Sequence, residues 1–439
     1  MPVYPCTSQD SDPKRAIFDR RFLALFAVLV HSFLLAGCAL GPRQIDKGRI
    51  KYNQAIQRTH QEEMLLNLVR LKYREFPEFV SVDSVAAQYT WDGTASLSGE
   101  LEEANPGLFG LGAAFRRTES PTISYVPRDD QEFNQALISP ISIETLGLLM
   151  RTGWSAERIL RCTVQNVNGV DNATTAGGPT PARKPEFETF RYLTQLIRVL
   201  QLQRSFELAF VEREQLQMTP LELADISEAT ALNALDRGYR FRQDEQGSWQ
   251  LYMPEEFAAA VFSPEALASY EGQEILRLLQ LVPGRTTYEL GSARFGQIQP
   301  ALVGLPEFSI PRHLPCPEGH GNRETIAFST RSLLEMMFYL SQAVQIPEEH
   351  LQQGLVTITV DAMGQPFDWT DMTGDLFRVF VSKKKPASAA VAIPFRGYWY
   401  YIHESDMESR STFLLLLVLF SIETQAGGVR GMPVLTLGI

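Results

Sequence analysis

The sequence predicts an α+β protein: a long N-terminal helix, antiparallel hairpins and further helices in one or two packed domains, following a cleaved signal peptide. Three observations predict this. Residues 44–75 carry apolar side chains at helical spacing, residues 80–101 alternate with a period of two, and the last third alternates short strands with capped helices. The composition suits such a body. The 439 residues are 44% hydrophobic and 21% charged, which sets aside collagen-like and wholly disordered chains. The formal net charge of −11, with no long Lys/Arg block, argues against binding nucleic acid through phosphate contacts.

The first element is an export signal. Lys14, Arg15, Arg20 and Arg21 precede an apolar run from Phe22 to Leu35, broken only by His31 and Ser32. A positive region, a short apolar region and small residues before a cut are the parts of a secretory signal. The run is shorter than the ~20 residues a membrane-spanning helix needs. The block ends in Leu35-Ala36-Gly37-Cys38.

This tetrapeptide resembles the lipobox of bacterial lipoproteins. The resemblance implies cleavage between Gly37 and Cys38 and acylation of the Cys38 thiol. No Asp follows the Cys, since the next residues are Ala39 and Leu40. In that class this implies the outer membrane, with the body facing the periplasm. Residues 1–37 are then signal and 38–43 a lipidated tether, leaving a mature charge of −12. A plain membrane anchor with a chance Cys is the alternative.

The helix over 44–75 uses Ile50, Ile56, Met64, Leu65, Leu68, Val69 and Leu71, and Glu75-Phe76-Pro77 is expected to stop it. Next, Val85, Ala87, Tyr89 and Trp91 alternate with polar residues, as do Ala95, Leu97 and Leu101. Asp92-Gly93 reads as the turn of a hairpin with a bulged three-residue loop. Residues 105–112 read as a flexible connection and 122–127 as a short strand. Helices over 141–151 and 156–165 follow, the second capped by Ser155. Residues 167–185, rich in Gly, Pro, Asn and Thr, read as a surface loop or linker, dividing an N-terminal region (44–185) from a C-terminal one (186–439).

The C-terminal region reads as a helix over 186–202, a strand near 206–213, a helix over 219–237 and two strands across Gln246-Gly247. Residues 254–280 read as mainly helical, and 287–290 as a short strand. Then come a strand at 325–328, a helix over 331–344, and strands at 355–360, 376–382, 389–394 and 398–402. An apolar helix over 413–422 and a closing strand at 433–437 complete the chain. Ser329–Leu334 resembles Ser409–Leu414, and capping chemistry accounts for the likeness more simply than a repeat.

Few residues suggest chemistry. His313, Cys316 and His320 are metal-ligand types on a Pro/Gly-rich loop, without an evident fourth ligand, so solvated histidines are the simpler reading. Cys162 and Cys316 can pair in an oxidising compartment, or Cys162 can be a buried free thiol. Nucleophile, Walker and zinc-protease motifs are missing, and no cofactor is expected. Lys383-Lys384-Lys385 reads as a solvated edge turn, with contact to phosphorylated lipid headgroups or peptidoglycan acids as the alternative. In Tyr398-Trp399-Tyr400-Tyr401, alternation places Tyr398 with Tyr400 and Trp399 with Tyr401. One pair is expected in the core.

The run Glu62–Leu71 and the segment Ile141–Leu146 resemble an uncharacterised family of Gram-negative lipoproteins, which implies an envelope location and no particular activity. The expected function is a non-enzymatic interaction or scaffold subunit of an envelope assembly. Its expected partners are the membrane, through the lipid, and envelope proteins. The alternative is an envelope hydrolase with a dispersed carboxylate site. A third reading inserts residues 80–126 into the outer membrane as part of an oligomeric barrel.

Overall fold

A computed structural model describes residues 40–98, 110–221, 228–243, 249–292 and 323–425. The expected signal with Gly37 and Cys38, residues His313, Cys316 and His320, and the expected strand at 433–437 lie outside the described residues. The fold is α+β. Contacts divide the chain into Met1–Gln61 and Glu62–Ile439. In the first unit, helix α1 (Leu40–Lys72) begins, with Ile50 and Ile56 exposed. In the second unit, the last turns of α1 bury Leu65, Leu68 and Lys72, the i, i+3 and i+7 positions of one stripe. Each buried leucine contributes ~1.5–3 kcal/mol.

The helix ends before the Pro77 stop, through backbone geometry. Glu75 N–H donates to the Arg70 carbonyl at 2.9 Å and Arg74 N–H to that of Leu71 at 3.1 Å. This is a Schellman motif with Arg74, at φ 61°, in the left-handed position that glycine usually fills.

Strands β1 (Val80–Ser98) and β2 (Gly110–Pro127) form a two-stranded antiparallel ribbon. This corrects the expected hairpin. Asp92 and Gly93 make no turn but pair with Arg116 and Phe115 within the ribbon. The apolar positions from Val85 to Leu97 all share one parity, so an uninterrupted strand satisfies the alternation. The local preference of Asp-Gly loses to pairing along the whole ribbon. The segment expected to be flexible supplies the start of β2.

Helices α2 (Gln131–Ile138), α3 (Ile143–Arg151) and α4 (Ala156–Thr163) follow, capped by the side chains of Asp130, Ser142 and Ser155. Strands β3 (Val164–Val167) and β4 (Val170–Asp171) lead into a short 3₁₀ turn. The stretch expected as a surface linker is largely packed: Asn172, Ala173, Ala176 and Thr180 are buried. It lacks an apolar pattern because polar side chains tie it to the core. Asn172 Nδ2, for instance, donates to the Arg161 and Val164 carbonyls at 2.9 and 2.6 Å.

Helix α5 (Glu188–Leu202), strand β5 (Phe206–Leu221), helix α6 (Glu228–Asp236), and strands β6 (Arg240–Gln243) and β7 (Trp249–Phe262) come next. Two expectations fail here. β5 runs on to Leu221, and residues 254–262 are strand rather than helix. Pairing decides it: β7 matches β5 from Phe206↔Phe262 through Glu214↔Pro254, and its alanines pair with the next strand as well. Tertiary context overrides the helix propensity of Glu and Ala.

Helices α7 (Pro264–Ala268) and α8 (Tyr270–Leu278) precede strands β8 (Thr287–Ser292) and β9 (Thr325–Thr330). The sheet order is β4-β3-β9-β8-β7-β5, with β6 also on β7. Only β8 and β9 among these run parallel. Its strands come from both sides of position 185.

Helices α9 (Leu333–Ser341), α10 (Glu348–Gln352) and α11 (Thr370–Thr373) lead to a second sheet of β10 (Phe380–Ser382), β11 (Ala389–Phe395) and β12 (Tyr398–His403), ordered β10-β12-β11. The expected strand at 355–360 is reduced to bridges at Val360, one of them to Arg183. On β12, Tyr398 and Tyr400 are buried and Trp399 and Tyr401 are not, so the expected pair packs in the core. Helix α12 (Met407–Gln425) buries Phe413, Leu415, Leu416, Leu419 and Phe420.

The two similar Ser-rich segments occupy different helix positions. Ser332 is the N-cap of α9 within a capping box, whereas Ser409 lies in the first turn of α12 and donates to Asp406 at 2.7 Å. Among the described residues no helix is long and apolar enough to cross a membrane.

Candidate functional site

The end of α1 delivers two consecutive polar side chains to the interior. Lys72 continues the stripe of Leu65 and Leu68, so its stem packs where an apolar residue is expected. It is 4% exposed. Its Nζ donates to Gln342 Oε1 at 2.9 Å and lies 5.5 Å from the centre of the Trp369 ring. Both of these are uncharged groups. With no carboxylate among the described residues bonded to the ammonium form, burial pushes the Lys72 pKa down to about 7.

Its partners are themselves fixed. Gln342 caps α9, its Nε2 donates to the Phe338 carbonyl at 3.1 Å, and its Oε1 also accepts from Thr180 Oγ1 at 2.9 Å. Trp369 Nε1 donates to Thr359 Oγ1 at 3.2 Å, and that hydroxyl donates to the Pro181 carbonyl at 2.7 Å. The polar 167–185 stretch thus holds the site in place. Lys72, Gln342 and Trp369 line an open pocket of ≈540 Å³, together with apolar Ile346, Val356 and Phe367. That volume suits a small molecule. Glu348 and Asp368, both exposed, also line it.

Tyr73, the next residue, turns to the second sheet. Its hydroxyl lies 2.6 Å from His350 Nδ1 and 2.6 Å from the Tyr400 hydroxyl. Burial lowers the His350 pKa and raises those of Tyr73 and Tyr400, so all three stay neutral near pH 7. The Tyr73 hydroxyl thus bridges the neutral His350 ring and the Tyr400 hydroxyl. The Arg396 guanidinium stands 5.2 Å from the Tyr73 ring and pairs with Glu75 at 2.6 Å. The chain of hydroxyls ties α1 to β12 and α10, the latter also contributing Glu348, Leu351 and Gln352 to the pocket.

A second buried polar group is structural. Arg331 has 0% exposure, and its Nη1 donates to the carbonyls of Arg161 and Val164 at 3.0 and 2.9 Å. Its Nη2 donates to the Asn172 carbonyl. The cation therefore covers the carbonyl end of α4, where the helix dipole favours positive charge. Arg161 on α4 is held by Asp375 through two bonds of 2.9 and 2.7 Å.

Of the residues expected from sequence, Cys162 is fully buried in α4 and bonded to no other described cysteine, and burial pushes its thiol pKa up to about 11. Its pairing with Cys316, the metal candidates and Cys38 fall outside the described residues. Among the described residues no three His, Cys, Asp or Glu side chains are grouped to hold a metal. In the basic run, Lys383 pairs with Glu349 at 2.8 Å, and Lys385 lies 5.2 Å from the Trp399 ring.

Sequence reasoning missed Lys72, Gln342, Trp369 and His350. One signal was legible: a lysine three residues after Val69 and four after Leu68, on the core stripe of a helix. Comparison with known protein families, with curated proteins and with solved structures finds no match to this chain.

Proposed function

We propose that the protein is a lipoprotein anchored through Cys38 to the outer membrane, facing the periplasm, and that it works by interaction, as a scaffold subunit of an envelope assembly. The Leu35–Cys38 tetrapeptide supports the anchor. The β1–β2 ribbon carries the interaction reading. At 18–19 residues a strand it extends about 60 Å. It pairs with no other strand of the described residues. A lone two-stranded ribbon is marginal in water, and a strand edge that no other strand covers is a template for pairing with another chain. At its base Val80, Ile123, Tyr125 and Val126 are exposed, Tyr125 by 63%. Such an element gains stability by docking on another protein.

A carboxylate-based hydrolase finds less support. Burial raises the pKa of Glu63 and of Glu423, but neither lines the Lys72 pocket.

The test is a photo-crosslinker at Tyr125 in the lipidated protein, in its native envelope. The proposal expects a discrete adduct with an envelope protein that Cys38→Ala weakens by releasing the body. A protein that gives no adduct and runs as a free monomer contradicts it.

A further inference from the structure

We propose that Lys72 is a nucleophilic amine whose pocket takes a small aldehyde or ketone and holds it as an imine. The observations are the placement of the amine, the nature of its partners and the charge at the pocket's edge. Lysine is scarce here, with eight in the chain against thirty-two arginines. Arginine stays charged when buried, whereas a lysine can lose its proton, so the residue type matters at a position as enclosed as this one. Among the described residues its partners are an amide oxygen and an indole face. An amide oxygen accepts from a neutral amine as well, though more weakly than from an ammonium, so the Gln342 contact survives deprotonation and leaves the nitrogen lone pair available. Burial supplies the neutral form near pH 7.

The pocket also selects the electrophile. Glu348 and Asp368 present negative charge to whatever enters, which disfavours an anionic ligand. Behind them the walls are apolar, with Ile346, Val356 and Phe367, and Trp369 offers a flat ring beside the amine. A neutral carbonyl compound with an apolar or planar body matches this arrangement. Nζ attacks the carbonyl carbon, a C–N bond forms, and the π electrons move to oxygen, which takes up a proton. The carbinolamine then loses its hydroxyl and the remaining N–H proton as water, leaving C=N. No oxidant or reductant is needed. Nothing in this chemistry depends on where the protein is anchored.

The experiment is reductive alkylation of the full-length protein at pH 7 with cyanoborohydride, mapped lysine by lysine by mass spectrometry. Formaldehyde is one probe and benzaldehyde the other. An exposed lysine with a pKa near 10.4 holds under roughly 0.1% free amine at this pH. Lys72 is therefore expected to react at least roughly ten-fold faster than exposed Lys51, Lys184 and Lys385. Gln342→Glu gives Nζ a carboxylate and restores the ammonium, so it should slow Lys72 about ten-fold and leave Lys184 unchanged. Reaction at Lys72 no faster than at the exposed lysines overturns the amine. Capture of formaldehyde but not benzaldehyde overturns the pocket as its ligand site.

Discussion

The Arg331 guanidinium lies 4.1 Å from the centre of the Tyr339 ring, and both side chains are buried to 1% exposure or less. The ring and the carbonyls at the end of α4 replace the water that a charged side chain gives up. The Nε of Arg331 has no hydrogen-bond partner among the described residues. Arg331→Met removes the donors to Arg161, Val164 and Asn172. The Asn172 amide still reaches two of those carbonyls, so the loss is about 2–4 kcal/mol rather than the sum of all bonds. Chemical denaturation checks this. A change below 1 kcal/mol would mean that the cation does not hold α4.

Among the described residues, two further helices end as α1 does with a residue other than glycine in the left-handed position. After α5, Ser205 N–H donates to the Leu200 carbonyl with Arg204 at φ 57°. After α8, Leu281 N–H donates to that of Leu276 with Gln280 at φ 56°. Each left-handed residue other than glycine costs about 1 kcal/mol. Arg204 is exposed. Arg204→Gly is therefore expected to stabilise the protein by about 0.5 kcal/mol, after the greater unfolded-state freedom of glycine is subtracted. Loss of stability in a melting experiment contradicts this.

The Cys162 thiol is fully buried, and its pKa of about 11 keeps it protonated. Iodoacetamide at pH 8 is expected to leave Cys162 unmodified in the native protein and to alkylate it on unfolding without reductant. Alkylation of unfolded protein only after reduction would show that Cys162 is disulfide-bonded.

Lys72 makes stability depend on pH in the alkaline range. Its folded pKa is depressed below the unfolded value of ~10.4, so between about pH 7 and 10 the unfolded chain binds more protons. Stability therefore rises with pH across that window. From pH 7 to 9 the wild type is expected to gain about 2 kcal/mol relative to Lys72→Met, which lacks the titrating group. Parallel curves for the two proteins would contradict it.

The sequence made the fold class legible, because periodicity survives in single elements: the stripe of α1, the capped pair α3 and α4, and the Tyr398/Tyr400 face of β12. It failed where pairing between distant segments decides. β7 is strand because β5 and β8 flank it, and Asp92-Gly93 is straight because β2 runs beside it. The site was less legible still. Lys72, Gln342 and Trp369 lie 27 to 297 residues apart in pairs, and only the folded chain brings them together. The polar stretch that resembled a linker is buried through side-chain bonds such as Thr180 to Gln342, which leave no periodic trace.

The most direct test is an NMR titration of the Lys72 side chain in protein labelled at lysine. The Lys72→Met spectrum identifies its signal among the eight lysines. The account predicts a titration midpoint of about 7, set by burial beside uncharged partners. A Lys72 that stays protonated up to ~10, like an exposed lysine, would contradict it.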